Sequence, residues 1–178
     1  MFGITKSTVA IASVLALFGA AAAAPTSAPV VDYTKLIIPG PGLPSVAELG
    51  LTNEDLTKPV PGLEQLMARE SENPNAVFKR YTPQCWGGPA CSWSDAQGCY
   101  NYLVGLGNRP CKTSGIDQMC RVNGCSWQAR TLNSREVSSP CSNAANGGAW
   151  VMNNCRGNIR GSNAAWGNGD LAVDLIGY

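Results

Sequence analysis

The chain has 178 residues, with 13 lysines and arginines against 12 acidic residues, and it contains no histidine. This length allows one or at most two small domains, and the near-zero net charge argues against a function that depends on nucleic-acid affinity. The lack of histidine excludes Ser-His-Asp triads, Cys-His dyads and histidine-ligated zinc sites.

Residues 1–23 have the pattern of a secretory signal peptide. Lys6 supplies the positive start, an apolar stretch follows, and the alanines from Ala20 to Ala24 are small enough for signal peptidase. The apolar stretch is too short to span a bilayer, so a membrane anchor is the less favoured alternative. We therefore expect a soluble, secreted, extracellular protein.

Residues 24–80 differ in composition from the rest of the chain. From residue 25 onward they include seven acidic and five basic residues and eight prolines, but no cysteine or tryptophan. Such a segment should not fold alone, so we expect it to be largely disordered, with short helical pieces near 45–51 and 62–69. It ends in Lys79-Arg80, which we interpret as a processing site that releases a pro-segment. The alternative is a chance pair of surface bases.

Residues 81–178 form the predicted mature domain, which holds all eight cysteines and all five tryptophans. An even cysteine count in a small exported domain indicates a disulfide framework, in which each bridge contributes about 2–4 kcal/mol. No spacing matches a paired C-x2-C zinc pattern, so we expect neither a metal nor another cofactor. The sequence leaves the pairing open among Cys85, Cys91, Cys99, Cys111, Cys120, Cys125, Cys141 and Cys155.

Two elements are predicted in the first half of this domain. Residues 95–106 should form a short amphipathic helix that is capped by Ser94, pinned through Cys99 and closed by Gly107 in a left-handed conformation. Residues 118–130 should form a hairpin with a type I′ turn at Asn123-Gly124. In that register Cys120 and Cys125 are diagonal neighbours, so we expect each to bond elsewhere.

The second half of the domain predicts a helix, a loop and a strand. Pro140 fits the first turn of a helix that runs from Cys141 towards Cys155, and Gly147-Gly148 marks either a defect or close packing against the sheet. Residues 157–169 should be a loop, and residues 170–175 alternate like a terminal strand. The predicted fold class is α+β: a small disulfide-rich sandwich, with two short helices on one face of an antiparallel sheet.

Both ends of the domain resemble families of small secreted fungal proteins. The C-x5-C spacing of Cys85 and Cys91 and the ending Gly169-Asp170-Leu171-Ala172-Val173 resemble killer toxins of the killer-protein-four type. The tail 166–176 and the Gly147–Trp150 element are similar to necrosis-inducing fungal effectors. The resemblance implies a small extracellular α/β protein that acts on a host or competitor. Such toxins act on membrane ion channels through exposed basic residues, and Lys112 is the only lysine of this domain.

The carboxylates give no catalytic motif. Asp170 and Asp174 share one side of the predicted strand with backbones about 13 Å apart, beyond the ~5–9.5 Å of glycosidase pairs. Asp95, Asp117 and Glu136 also belong to no motif. We therefore expect a protein that is not an enzyme.

The tryptophans and arginines near glycine-rich loops are the candidate contact surface. Trp127 and Trp150 should be buried, whereas Trp86 and Trp166 lie among glycines and should be more exposed. Arg156 and Arg160 flank the same loop as Trp166, with ordinary solvated charge as the alternative.

These observations predict an effector or killer-toxin-like protein that works as a monomer. Its expected partner is a protein, membrane or cell-wall target of a host or competitor, and nucleic acid is not expected. The alternative is a carbohydrate- or wall-binding module that uses exposed tryptophans.

Overall fold

The computed structural model describes residues 30–62, 64–66, 68 and 81–178. The predicted signal peptide and the Lys79-Arg80 pair lie outside the described residues. Residues 31–178 group into one compact unit. Within the described part, no helix is long and apolar enough to cross a bilayer.

Four helices and eight strands have described bounds, and residues 64–66 and 68 are also helical. The helices are α1 (Tyr33–Leu36), α2 (Asn53–Leu56), α3 (Trp93–Gly105) and α4 (Cys141–Asn154). The strands are β1 (Ile38–Pro39), β2 (Gln84–Cys85), β3 (Pro110–Thr113), β4 (Ile116–Val122), β5 (Cys125–Thr131), β6 (Val137–Pro140), β7 (Gly161–Ala165) and β8 (Asn168–Gly177).

The main sheet has six antiparallel strands in the order β1-β4-β5-β8-β7-β2, and β3 pairs with β6 in a separate two-stranded sheet. Helices α3 and α4 pack on one face of the main sheet. Trp127 of β5 and Cys120 of β4 are paired neighbours on this face; the first contacts α4 and the second is bonded to α3. The predicted α+β class is therefore confirmed.

Four disulfides cross-link the elements of the cysteine-rich domain, and no described cysteine is free. They confirm the predicted framework and pair Cys120 and Cys125 with other partners, as expected. Each bridge joins a helix, or the chain next to it, to another element. The pairs are Cys85–Cys155, Cys91–Cys125, Cys99–Cys120 and Cys111–Cys141.

Helix α3 begins two residues before the predicted start. Its N-cap is Ser92, whose side chain accepts from the backbone N–H of Asp95, so Ser94 is not the cap. The spacing from Ser92 to Asp95 offers the same capping geometry two residues earlier. At the other end Gly107 has a φ of 58°, which confirms the predicted left-handed closure.

The predicted hairpin is present, with Cys120 opposite Trp127 and Val122 opposite Cys125. Its turn differs from the predicted type I′, because Asn123 has a φ of 46° whereas Gly124 lies outside the left-handed region. The carbonyl of Gly124 accepts from the backbone N–H of Tyr178, which holds the turn against the end of the chain.

Strand β7 occupies part of the segment that was predicted to be a loop. Its residues are small because two neighbours approach it closely. A Cβ on Gly161 would lie 2.2 Å from the carbonyl oxygen of Gln84, and a Cβ on Gly147 would lie 2.4 Å from that of Ala164. Glycine, serine and alanine here therefore indicate tight packing rather than a turn.

Residues 31–62, which we call the leader segment, pack against the cysteine-rich domain. We had expected this segment to be largely disordered. Tyr33, Ile37, Val46 and Leu56 are buried and belong to the same hydrophobic cluster as the core of the cysteine-rich domain. The segment builds no core of its own, and its apolar residues pack on surface that residues 81–178 provide. The helical piece predicted near 62–69 is present, because residues 64–66 and 68 are helical. Residues 46–50 form a turn where the other piece was expected, and α2 at Asn53–Leu56 was not predicted.

Replacing Gly148 with alanine should lower the free energy of unfolding by about 1–3 kcal/mol, because its Cβ would lie 2.1 Å from the ring of Trp127. Denaturant unfolding followed by tryptophan fluorescence measures the change. Gly115→Ala is the matched control, since a Cβ there meets nothing within 4 Å. Equal destabilisation by the two substitutions would contradict this account of helix packing.

Candidate functional site

Trp86, Arg156 and Arg160, three of the four predicted contact residues, lie together at the start of β7. The Cys85–Cys155 bridge joins the residues next to Trp86 and Arg156. The backbone N–H of Trp86 donates to the carbonyl of Arg160 at 2.9 Å. Arg156 is exposed, with its Nε donating to the carbonyl of Asn153 at 3.1 Å, and Trp86 is half-buried. We call these two residues the Trp86 patch.

Arg160 is hydrogen-bonded to two other segments of the fold. Its Nη1 donates to the carbonyl oxygens of Pro89 at 3.0 Å and Gly177 at 3.2 Å. The guanidinium thereby ties the loop before α3 to the end of β8. A charge that is engaged with two backbone carbonyls contributes mainly to positioning these chain segments.

Trp166 lies at the opposite end of β7 from the Trp86 patch. Its backbone N–H donates to the carbonyl of Asn143 at 3.1 Å, and its half-buried side chain packs against the core. Five strand residues span roughly 16 Å. The structure therefore does not bring Trp166 and Trp86 to one surface. Trp127 is fully buried as predicted, whereas Trp150 is half-buried.

A cleft of about 400 Å³ lies between leader residues 41–44 and the strands β3 and β4. Four charged side chains line it: Arg109, Lys112, Asp117 and Glu136. All four are exposed to solvent, so none is a desolvated acid or base of the kind that active sites use. Their mixed charge is suited to hydrogen bonding with a polar ligand.

Asp174 belongs to a network on the face of the sheet that lies opposite the helices. Its Oδ2 lies 2.6 Å from Nε of Arg130, and its Oδ1 accepts from Nη2 of Arg130 and from the hydroxyl of Ser162. Asp174 is only 4% exposed. Hydrogen bonding to Asp174 holds the pKa of Arg130 above its usual range. Asp174 therefore has a structural partner.

Tyr81, the first residue of the predicted mature domain, joins the same network. Its hydroxyl accepts from Nη2 of Arg130 at 3.3 Å. Among the described residues, no group of three or more histidine, cysteine, aspartate or glutamate side chains could hold a metal ion.

The most extensive set of specific contacts involves side chains that the sequence analysis did not select. Gln97 donates to the carbonyl oxygens of Thr57 at 2.6 Å and Lys58 at 2.8 Å. Asn101 donates to those of Leu56 at 3.0 Å and Lys58 at 2.8 Å. Both amides lie on α3, one turn apart, and both bind the main chain of the leader segment.

Tyr102 and Asn153 extend this set. The hydroxyl of Tyr102 donates to the carbonyl of Pro44 at 2.7 Å, and Nδ2 of Asn153 donates to that of Pro61 at 3.3 Å. Burial, with a smaller contribution from the charge of Glu48, raises the pKa of Tyr102 to about 12. The neutral phenol therefore remains a donor through the physiological pH range.

Two glycines of α3 leave room for side chains of the leader segment. A Cβ on Gly98 would lie 2.9 Å from the ring of Tyr33, and a Cβ on Gly105 would lie 2.8 Å from Leu51. A glycine inside a helix lowers intrinsic helix stability by about 1 kcal/mol, so its presence there calls for a packing reason. These two glycines were the one signal in the sequence for this docking surface.

The chain belongs to DUF8794, a family described as a domain of unknown function, which matches residues 80–177. No curated protein and no solved structure matches the chain. The matched region contains all four disulfides and leaves out the leader segment. The family boundary therefore coincides with the change of composition at the dibasic pair.

Replacing Asp174 with asparagine should lower the free energy of unfolding by about 2–3 kcal/mol, because Arg130 would keep its charge in a partly buried site without a carboxylate partner. Asp117→Asn, in the exposed wall of the cleft, should change it by less than about 0.5 kcal/mol. Denaturant midpoints of both variants provide the comparison. A harmless Asp174→Asn substitution would argue against the structural role of this carboxylate.

Proposed function

We propose that this member of the DUF8794 family is a secreted fungal effector or killer-toxin-like protein that acts by binding. Its target is a protein, membrane or cell-wall component of a host or competitor. Lys79-Arg80 is the processing site that separates the leader segment from the active domain. The domain needs no cofactor for this role.

The observation that carries the proposal is the complete pairing of the eight cysteines in a domain of 98 residues. Bridges of this density are typical of small proteins that work in an oxidising, extracellular environment. They also hold surface loops in one conformation before a partner arrives, which reduces the entropy lost on binding. Rigid loops with a half-buried aromatic and an exposed cation suit recognition better than turnover.

The polar groups of the described residues support binding over catalysis. Asp174 is hydrogen-bonded to Arg130 and Ser162, and the carboxylates of Asp117 and Glu136 are exposed to solvent. None of the three is both buried and without an ion-pair partner, the arrangement that active sites favour for general acids and bases.

The Trp86 patch is the part of the proposed contact surface that the structure keeps together. The bridge between Cys85 and Cys155 fixes the chain on both sides of it. Nδ2 of Asn158 donates to the carbonyl of Trp86 at 2.7 Å, which further restrains the loop. An aromatic beside a cation on a rigid loop is a common composition for binding hot spots.

A carbohydrate-binding role is the second candidate, and one contact favours it. Nε1 of Trp86 donates to Oε1 of Gln84 at 3.3 Å, so a partly exposed indole lies beside an amide. Sugar rings stack on aromatic faces while amides bind their hydroxyls.

Intact mass spectrometry of the secreted protein tests maturation. The expected mass is that of residues 81–178 after the loss of eight hydrogens, because all eight cysteines are bridged. Arg80→Ala should shift the product to a longer chain that keeps the leader segment. Free thiols, or a wild-type product that begins upstream of residue 80, would contradict the proposal.

Bioassays of the secreted protein test the contact surface. Trp86→Ala and Arg156→Ala should each raise the concentration needed for host necrosis or inhibition of a competing fungus by about tenfold, a loss typical of a binding hot spot. Arg135→Ala, another exposed arginine, is the matched control for Arg156→Ala. Unchanged activity of both patch variants would remove this surface from the proposal.

Pull-down on chitin, glucan and cellulose separates the two candidates. Retention that Trp86→Ala abolishes and Arg135→Ala preserves would favour the carbohydrate-binding role. A protein that flows through all three matrices but retains activity in the bioassays would favour a different target.

A further inference from the structure

We propose that helix α3 and the outer edge of β4 form a peptide-binding site, and that the leader segment is its built-in ligand. The inference rests on the proposed function in one respect, namely that scission after Arg80 makes the leader a separate chain. The site would accept a proline-containing polypeptide that offers unpaired backbone carbonyls. Its first ligand is residues 31–62, which must leave before a segment of a target protein can occupy it.

The site recognises the main chain of its ligand. Every hydrogen bond described above from Gln97, Asn101, Tyr102 and Asn153 to the leader segment ends on a backbone carbonyl oxygen. Side-chain donors that bind carbonyl groups select a backbone conformation with little demand on residue type. This is the way in which extended peptides are recognised.

Proline explains why three of the five accepting carbonyls are available. The other two belong to Leu56 and Thr57 at the C-terminal end of α2, where the last carbonyls of a helix lack partners within it. Two of the accepting carbonyls belong to Pro44 and Pro61, and a third belongs to Lys58, which directly precedes Pro59. Proline lacks an N–H and favours an extended backbone, in itself and in the residue before it. Extended proline-rich chain leaves its carbonyls free for outside donors. The leader segment therefore fits the donors of this site by composition.

Two anchors set the register of the ligand along α3. The ring of Tyr33 packs over Gly98, and Leu51 packs over Gly105, about two helical turns further along. A larger residue at either glycine would displace the anchor. Tyr33 is only 6% exposed, so its side chain is almost completely buried at this contact.

The edge of β4 supplies the third part of the site. Strand β1 pairs with β4 through Ile38 opposite Arg121 and Pro39 opposite Cys120, and the N–H of Gly40 donates to the carbonyl of Met119 at 2.9 Å. In the main sheet β4 has no other partner on this side. Without the leader segment it would present an open edge, the usual receptor for an added strand.

We expect the cysteine-rich domain to stay folded without this ligand. All four bridges lie between residues 85 and 155, and the leader segment contains no cysteine. Five of the six strands of the main sheet and both long helices also belong to residues 81–178. The family match begins at residue 80 and thus treats the domain as a unit. After scission the leader is held by non-covalent contacts alone.

The experiment uses the full secreted chain, with the site of a sequence-specific protease replacing residues 73–78. Cleavage is followed by native gel filtration and mass spectrometry of each fraction. We expect the leader to co-elute with the domain. After separation in mild denaturant and return to buffer, the domain should retain its near-ultraviolet circular dichroism. It should then bind a fluorescent synthetic peptide of residues 31–68 saturably, at one peptide per domain.

Variants in the same background test the contacts. The double substitution Gln97→Ala with Asn101→Ala should raise the dissociation constant of the peptide about tenfold or more, and a peptide carrying Tyr33→Ala should bind more weakly by a similar factor. Asn154→Ala is the matched amide control, because the Nδ2 of Asn154 donates to the carbonyl of Trp150, outside the site.

Two results would overturn the inference. One is a domain that fails to retain or rebind the peptide. The other is loss of the near-ultraviolet signal when the leader leaves, which would make residues 31–62 an integral part of the core. Because the inserted site causes the scission, these outcomes do not depend on processing at Lys79-Arg80. A secreted protein that is never cut there would refute the maturation scheme, while the binding measurement would remain valid.

Discussion

The close approach of α4 to the main sheet is the constraint on which the rest of the structure depends. Gly148 places the helix against the ring of Trp127, and Gly147 places it against the backbone of β7. This contact forces small residues into β7 and buries the largest side chain of the core. The gain from burying an indole exceeds the helix penalty of about 1 kcal/mol for each glycine.

The disulfides preserve this arrangement at both ends of α4 and along α3. Cys141 ties the first residue of α4 to β3, and Cys155 ties the residue after its end to β2. Cys99 ties the middle of α3 to β4. Because a domain of this size buries limited apolar surface, the disulfides supply much of the stability that a larger core would provide. The outer surface of α3 can therefore contain glycines and amides that serve the leader segment rather than the core.

Much of the fold could be predicted, because local patterns agree with tertiary packing in most elements. The terminal strand, the hairpin register and both helices appear near their predicted positions. The candidate site was less predictable. A bridge joins the neighbours of Trp86 and Arg156, whereas Trp166 lies at the far end of β7 despite its similar glycine-rich surroundings. Proximity of this kind depends on which cysteines pair, and eight cysteines allow 105 pairings.

The amino-acid sequence by itself determined the disulfide-stabilised α+β class, the boundary near residue 80 and the absence of histidine chemistry. These properties follow from composition and short-range spacing. Only the tertiary structure decided the pairing of the cysteines, the strand at 161–165 and the docking of residues 31–62. The physical reason is that each of these depends on surface contributed by distant parts of the chain. A proline-rich segment cannot bury its own apolar residues and does not become ordered alone. It becomes ordered once another element provides space above helix glycines for its apolar side chains and side-chain donors for its carbonyls.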